Sequence, residues 1–295
     1  MHSLRRTATV PLAIAFLLGS AANADMMKDS PVKFPDKGAL PSKYPPDVTT
    51  PREIPEPDYS IFGTPQRSLE QIDRIQSEMV KGEFTPPPTG WKYLPRTRRV
   101  LAEGGDLHVF AFGDSIVADT MRSGWLAKLG EAYPKAKIRG TVYVRGGGGC
   151  QHYREEDRIR KNIVPRKPDL IFIGGISQRD TEDVRECIKV LRSELPGVEI
   201  LLASGAFGST DPRDAAEMAK AHHSGTGEYG RKLSQVAADE HCAYLDMTSP
   251  WVEYLISAKV HPHIFYRDRV HANEFGEQIL TKILISFFRG AAEGR

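Results

Sequence analysis

The amino-acid sequence predicts an α/β protein of three layers, a five-stranded parallel sheet covered by helices on both faces. Three observations carry that prediction. Five short apolar runs, 107–112, 138–144, 169–173, 198–203 and 243–247, are mostly rich in Val, Ile, Leu or Phe. They lack strict alternation, the pattern of strands buried on both faces. Helical segments lie near 117–132, 153–162, 181–194 and 213–239, with two more near 250–258 and 273–289. Strand and helix alternating at this cadence argue a parallel sheet between helix layers.

The elements follow one another from an N-terminal leader. Arg5 and Arg6 precede a short apolar stretch, 10–19, and Ser20-Ala21-Ala22-Asn23-Ala24 then supplies small residues around an A-x-A type cleavage site. The stretch is shorter than the about 20 residues a membrane-spanning helix needs. Residues 1–24 are therefore predicted to be a signal peptide. The mature chain is expected to be periplasmic or secreted, with no integral membrane segment after cleavage. Residues 25–66 contain nine prolines and little apolar periodicity, which predicts an extended arm or spacer. Residues 67–104 read as a helical lead-in. Ser68 is a plausible N-cap, Leu69, Ile72, Ile75 and Met79 recur at helical spacing to about Lys81, and Pro86-Pro87-Pro88 ends the unit. The α/β domain occupies 105–290.

Composition narrows the function. The 295 residues are 40% apolar, enough for a sizeable core, and carry 40 basic against 38 acidic side chains. A net charge of +2 with both signs interspersed offers no basic field, so nucleic acid is not expected as a partner. Three cysteines, Cys150, Cys187 and Cys242, permit one disulfide at most. Cys187 shares a helical face with Val184, Ile188 and Leu191 and reads as a buried free thiol. There is no C-x-x-C and no H-E-x-x-H, and His222-His223 and His261-Pro262-His263 lack a carboxylate or Cys at matching spacing. No metal and no other cofactor is predicted. Gly225-Thr226-Gly227-Glu228-Tyr229-Gly230 fits a dinucleotide-binding formula but follows no strand, and reads as a loop.

An open parallel sheet binds its ligand outside the carboxyl ends of its strands. Four segments fall at that rim: Gly113-Asp114-Ser115, Arg145 with Gly146 to Gly149, Gly174-Gly175-Ile176-Ser177-Gln178, and Asp268-Arg269-Val270-His271 before the last helix. Ser115 lies where a strand turns into a helix, so helix-start N–H groups favour a developing negative charge beside it. A serine hydroxyl becomes a nucleophile once a base takes its proton. His271 is the natural base, and Asp268 can orient its ring from three residues away. The backbone N–H groups of Ser115 and of a glycine in the four-glycine loop form a candidate oxyanion hole. Asp114 reads as structural, bonding nearby backbone. Cys150 has no local base.

The strand-following Gly113-Asp114-Ser115 together with the late Asp268-x-x-His271 resembles the signature of SGNH/GDSL hydrolases over roughly residues 105–290. The resemblance implies a flavodoxin-like fold and serine ester hydrolysis through an acyl-enzyme, with Ser115 as nucleophile, His271 as base and Asp268 as its partner. It also implies that Gly149 donates to the oxyanion from its backbone. The third block departs from the pattern. Where the family has Gly-x-Asn-Asp, this chain reads Gly175-Ile176-Ser177-Gln178, and Ser177 or Gln178 would replace the missing amide donor.

Export and the polar 208–231 segment point to removal of small acyl groups, acetyl above all, from carbohydrate, with other extracytoplasmic esters as further candidates. Two rivals share the framework. A polysaccharide O-acetyltransferase would use the same triad with a sugar acceptor in place of water. A non-catalytic binding protein on the SGNH fold would account for the altered third block.

Overall fold

A computed structural model of the chain describes residues 52–56, 59–63, 67–177, 180–206, 210–223, 225–268 and 270–291. The expected signal peptide and most of the proline-rich arm lie outside the described residues.

The predicted runs form five parallel strands: β3 (Gly105–Gly113), β4 (Ala136–Val144), β5 (Leu170–Ile173), β6 (Glu199–Ala203) and β7 (Ala243–Leu245). They lie in the order β4-β3-β5-β6-β7. Counted along the chain, that is second, first, third, fourth, fifth, the flavodoxin-like arrangement. Pairing is in register along nine residues of β3 and β4, from Gly105 opposite Ala136 to Gly113 opposite Val144.

The sheet extends beyond the prediction. β1 (Arg52–Glu56) and β2 (Tyr59–Gly63) form an antiparallel pair, and β2 pairs antiparallel with β4, so seven strands run β1-β2-β4-β3-β5-β6-β7. The C-terminal part of the proline-rich segment is therefore sheet rather than spacer. Pro55 stands in β1, the outermost strand, where the N–H it lacks need not pair inward.

Side chains alternate across the sheet. Leu107, Val109 and Ala111 of β3 join a core with α3 (Ser115–Arg122), α4 (Trp125–Ala132), α9 (Thr248–Ala258) and α10 (Glu274–Phe287). Phe110 and Phe112 point into a second core with α6 (Thr181–Glu194) and α8 (Gly225–Asp239). Two cores on opposite faces of one sheet make the three-layer fold that the sequence predicts. His108 is the buried polar residue of this strand. It is 2% exposed, its Nε2 lies 2.9 Å from Thr141 Oγ1 and its Nδ1 3.2 Å from the Arg166 carbonyl. Burial, helped by Arg139, lowers its imidazole to about 4.

In the lead-in, α1 (Leu69–Glu78) starts with a capping box in which Ser68 Oγ accepts from the Gln71 N–H and the Gln71 side chain accepts from the Ser68 N–H. α2 (Pro95–Glu103) follows with Pro at its first position.

Three helix predictions need revision. The 117–132 segment is two helices, parted at Gly124, whose φ of +89° suits glycine and whose absent Cβ leaves room for Ile72. The helix expected near 153–162 is a chain of short turns: α5 (Cys150–Tyr153), a 3₁₀ turn Glu155–Asp157, a π turn Ile159–Ile163 and a 3₁₀ turn Val164–Arg166. Glu156 and Asp157 take φ of +52° and +57°, which no continuous helix accommodates. The 213–239 segment divides into α7 (Ala215–His223) and α8, and the glycine pattern at 225–230 is the first part of α8 rather than a loop.

Candidate active site

The chain leaves β3 at Gly113 and enters α3 at Ser115, beside the point where successive connections diverge to opposite sides of β3. Gly113 adopts φ +149°, and a Cβ there would lie 2.6 Å from the Gly174 carbonyl oxygen. Its own carbonyl accepts from Arg145 N–H at 3.0 Å and from the hydroxyl of Tyr153, which is fully buried. The ends of β3 and β4 are thereby tied together.

Asp114 caps α3. Its Oδ1 accepts from Ile116 N–H at 2.9 Å, and its Oδ2 accepts from the N–H groups of Ile176 and Ser177, both at 2.7 Å. Asp114 is 1% exposed and serves the start of α3 and the loop after β5 at once. That matches its structural reading in the sequence. Gly175, at φ +98°, allows the approach, since a Cβ would sit 2.5 Å from Asp114 Oδ1.

Ser115 is half-buried, and its Oγ lies 2.7 Å from His271 Nε2. His271 Nδ1 lies 2.8 Å from Asp268 Oδ2 and 3.0 Å from Oδ1. Asp268 Oδ1 also accepts from the N–H groups of Val270 and His271, each at 2.8 Å. Partial burial alone would raise the Asp268 carboxyl. The two backbone donors and the imidazole outweigh it and hold the carboxyl below its ordinary value. An ionised carboxylate on Nδ1 keeps the proton on that nitrogen, leaving Nε2 to accept the serine proton.

The residues flanking this pair are themselves bonded to one another. Tyr266 and Ala272 form an antiparallel bridge and Arg267 N–H donates to the His271 carbonyl at 3.0 Å. Asn273 then caps α10, accepting from Phe275 and Gly276 N–H groups, while its amide donates to the Ile264 carbonyl at 2.7 Å.

Gly149 is buried at the end of the glycine loop, which turns at Gly147 (φ +68°) and closes by a hydrogen bond from Gly148 N–H to the Arg145 carbonyl at 2.9 Å. Among the described residues, neither the Ser115 nor the Gly149 backbone N–H has a hydrogen-bond partner. Ser177 is held at the rim by Asp114, and its carbonyl accepts from Gln151 Nε2 at 3.2 Å. Gln178 lies outside the described residues. The three cysteines are buried and no disulfide joins them, and burial pushes Cys242 up to about 11. His261 and His263 meet edge-on with ring centres 4.0 Å apart, and Asp211 Oδ2 lies 3.9 Å from His261 Nε2.

Sequence reasoning passed over Gln151, Tyr153 and Asn273. Asn273 carried a signal, an Asn directly before an apolar-periodic segment. Gln151 and Tyr153 carried none, because what they touch is remote in sequence.

Two crystal structures of a two-domain esterase active on acetylated mannans, one with mannopentaose, each align with 70% of this chain. Identities are 14% and 13%, and TM-scores 0.51 and 0.52. The alignments cover 54% and 55% of that esterase, so this chain spans about half its length. A member of the lipolytic protein G-D-S-L family from Veillonella parvula aligns over 62% of this chain and 99% of its own, at 18% identity and a TM-score of 0.43. No protein-family model and no curated protein sequence matches the chain. At these identities the likeness is one of fold. Among the described residues, no helix is long and apolar enough to cross a membrane.

Proposed function

We propose that the chain is a serine ester hydrolase of the SGNH/GDSL kind, exported, which removes acetyl or similarly small acyl groups from carbohydrate. The observation that carries this reading is the line from Asp268 through His271 to Ser115, with separations of 2.8 and 2.7 Å.

Chemically, His271 Nε2 accepts the Ser115 proton as Oγ attacks the ester carbonyl, and Asp268 stabilises the imidazolium. The Ser115 and Gly149 N–H groups receive the oxyanion, with Ser177 or Gln178 as the further donor. Collapse of the tetrahedral intermediate breaks the bond to the sugar oxygen, which takes the proton from the imidazolium and leaves as a hydroxyl, with Ser115 acylated. Water, activated by the same imidazole, then releases the acid. The helix start at Ser115 favours both charged intermediates.

Substrate class rests on the rim. Asp211 and Arg213, in the connection that leaves the carboxyl end of β6, form an ion pair and begin the polar 208–231 segment. Such groups suit sugar hydroxyls better than an acyl chain. The esterase on acetylated mannans that shares the fold accords with this class. The test is acetate release by purified protein from acetylated polysaccharides, against turnover of long-chain esters. Preference for the long chains overturns the substrate class. Capture of the acetyl group by added sugar in place of water makes the chain a transferase.

A further inference from the structure

Ser115 and Asp119 stand one helical turn apart on α3, and two residues of the 266–272 segment reach them. His271 meets Ser115, and Arg267 Nη2 donates to both carboxylate oxygens of Asp119, at 2.8 and 3.0 Å. Hydrogen bonds tie the two ends of that segment together. Arg267 N–H bonds the His271 carbonyl and Arg267 Nη1 donates to the Ala272 carbonyl, both at 3.0 Å. Asp119 is 1% exposed and also pairs with Arg122. Behind it, Glu277 of α10, 3% exposed, pairs with Arg67 at the start of the lead-in and stands 3.8 Å from Arg267 Nη1.

From this arrangement we infer that Arg267 and Asp119 are positioning residues, a second attachment that sets the reach of His271 to Ser115. One contact between two elements leaves rotation about it free, whereas two contacts a helical turn apart remove that freedom. A planar guanidinium whose Nη2 holds the buried Asp119 carboxylate while its Nη1 holds the Ala272 carbonyl fixes the angle between α3 and this segment, because the two nitrogens cannot move independently. Neither group touches the reacting atoms. The inference deepens the esterase reading and rests on it for its kinetic consequence, though not for its geometry.

The experiment compares Asp119→Asn, Arg267→Gln, Arg267→Lys and the double variant Asp119→Asn/Arg267→Gln with the full wild-type chain. Two readouts are followed, hydrolysis of p-nitrophenyl acetate and the NMR resonance of the hydrogen-bonded His271 Nδ1 proton, with folding checked by circular dichroism. A displacement of about 1 Å at a reacting pair can cost about a hundredfold. Asp119→Asn and Arg267→Gln should each lower kcat about tenfold to a hundredfold with KM within about twofold, and the double variant should be no worse than the singles. Arg267→Lys, which keeps charge but not the fork, should fall between. The Nδ1 proton should broaden or shift in the variants that lose activity. Folded variants with unchanged kcat and an unchanged Nδ1 resonance would overturn the inference, as would losses that multiply in the double variant. A wild-type chain that hydrolyses nothing would instead remove the esterase reading, and the Nδ1 resonance would still decide whether this pair holds His271.

Discussion

A single carboxylate oxygen, Asp114 Oδ2, accepts from the N–H groups of both Ile176 and Ser177 at 2.7 Å, so the residue before Ser115 fastens the loop after β5. With Oδ1 capping α3, three backbone donors depend on one buried side chain. Asp114→Ala should therefore destabilise the fold by about 2–4 kcal/mol, the cost of a lost cap and orphaned buried N–H groups. Urea unfolding measures it. A loss under about 0.5 kcal/mol would show that solvent satisfies these donors.

Gly175→Ala should act through the same contact. A methyl at φ +98° and 2.5 Å from Asp114 Oδ1 must displace either the loop or the carboxylate. Activity should fall further than stability, because the displaced groups border Ser115. Paired measurement of kcat and the unfolding midpoint tests this, and a variant with unchanged kcat would speak against it.

Asp268→Asn should lower turnover by about 10² to 10⁴, through an imidazole held in the wrong tautomer. The side chain is half-exposed, so the lower part of that range is the natural expectation. Steady-state kinetics with folded protein give the answer. A variant at near-full rate would mean that another group orients His271.

Stability should depend on His108 at acid pH. An unfolded chain protonates this histidine near the ordinary 6.5, but the folded chain only near 4. Between those values the unfolded state binds more protons, so the contribution is fully present above pH 6.5 and lost as pH falls toward 4. The loss approaches about 3 kcal/mol. Urea melts at pH 7 and 4.5 should differ less in His108→Gln than in the parent. An identical difference in both would assign the acid sensitivity elsewhere.

How much of this was written in the sequence depends on the range of each interaction. The five parallel strands were legible because a strand buried on both faces is mostly apolar without strict alternation, as at 107–112 and 169–173, where only His108 and Asp169 are polar. The rim was legible for the same reason, since strand ends locate it. β1 was hidden by Pro55, which an outermost strand tolerates, and β2 by the flanking Pro57 and Pro65. The turns at 155–166 were hidden because nothing in Glu156 or Asp157 announces a positive φ. Asp119, Arg267 and Glu277 look like ordinary surface charges in sequence. Only the folded chain brings them together, 148 residues separating the first two.

The most direct test of the account is mass spectrometry of the folded protein after exposure to a fluorophosphonate, which bonds only to a serine activated by a base. One adduct is expected, on Ser115, abolished in His271→Ala and absent in Ser115→Ala. A folded wild-type chain that takes up no probe, or that carries it on another serine, would contradict it.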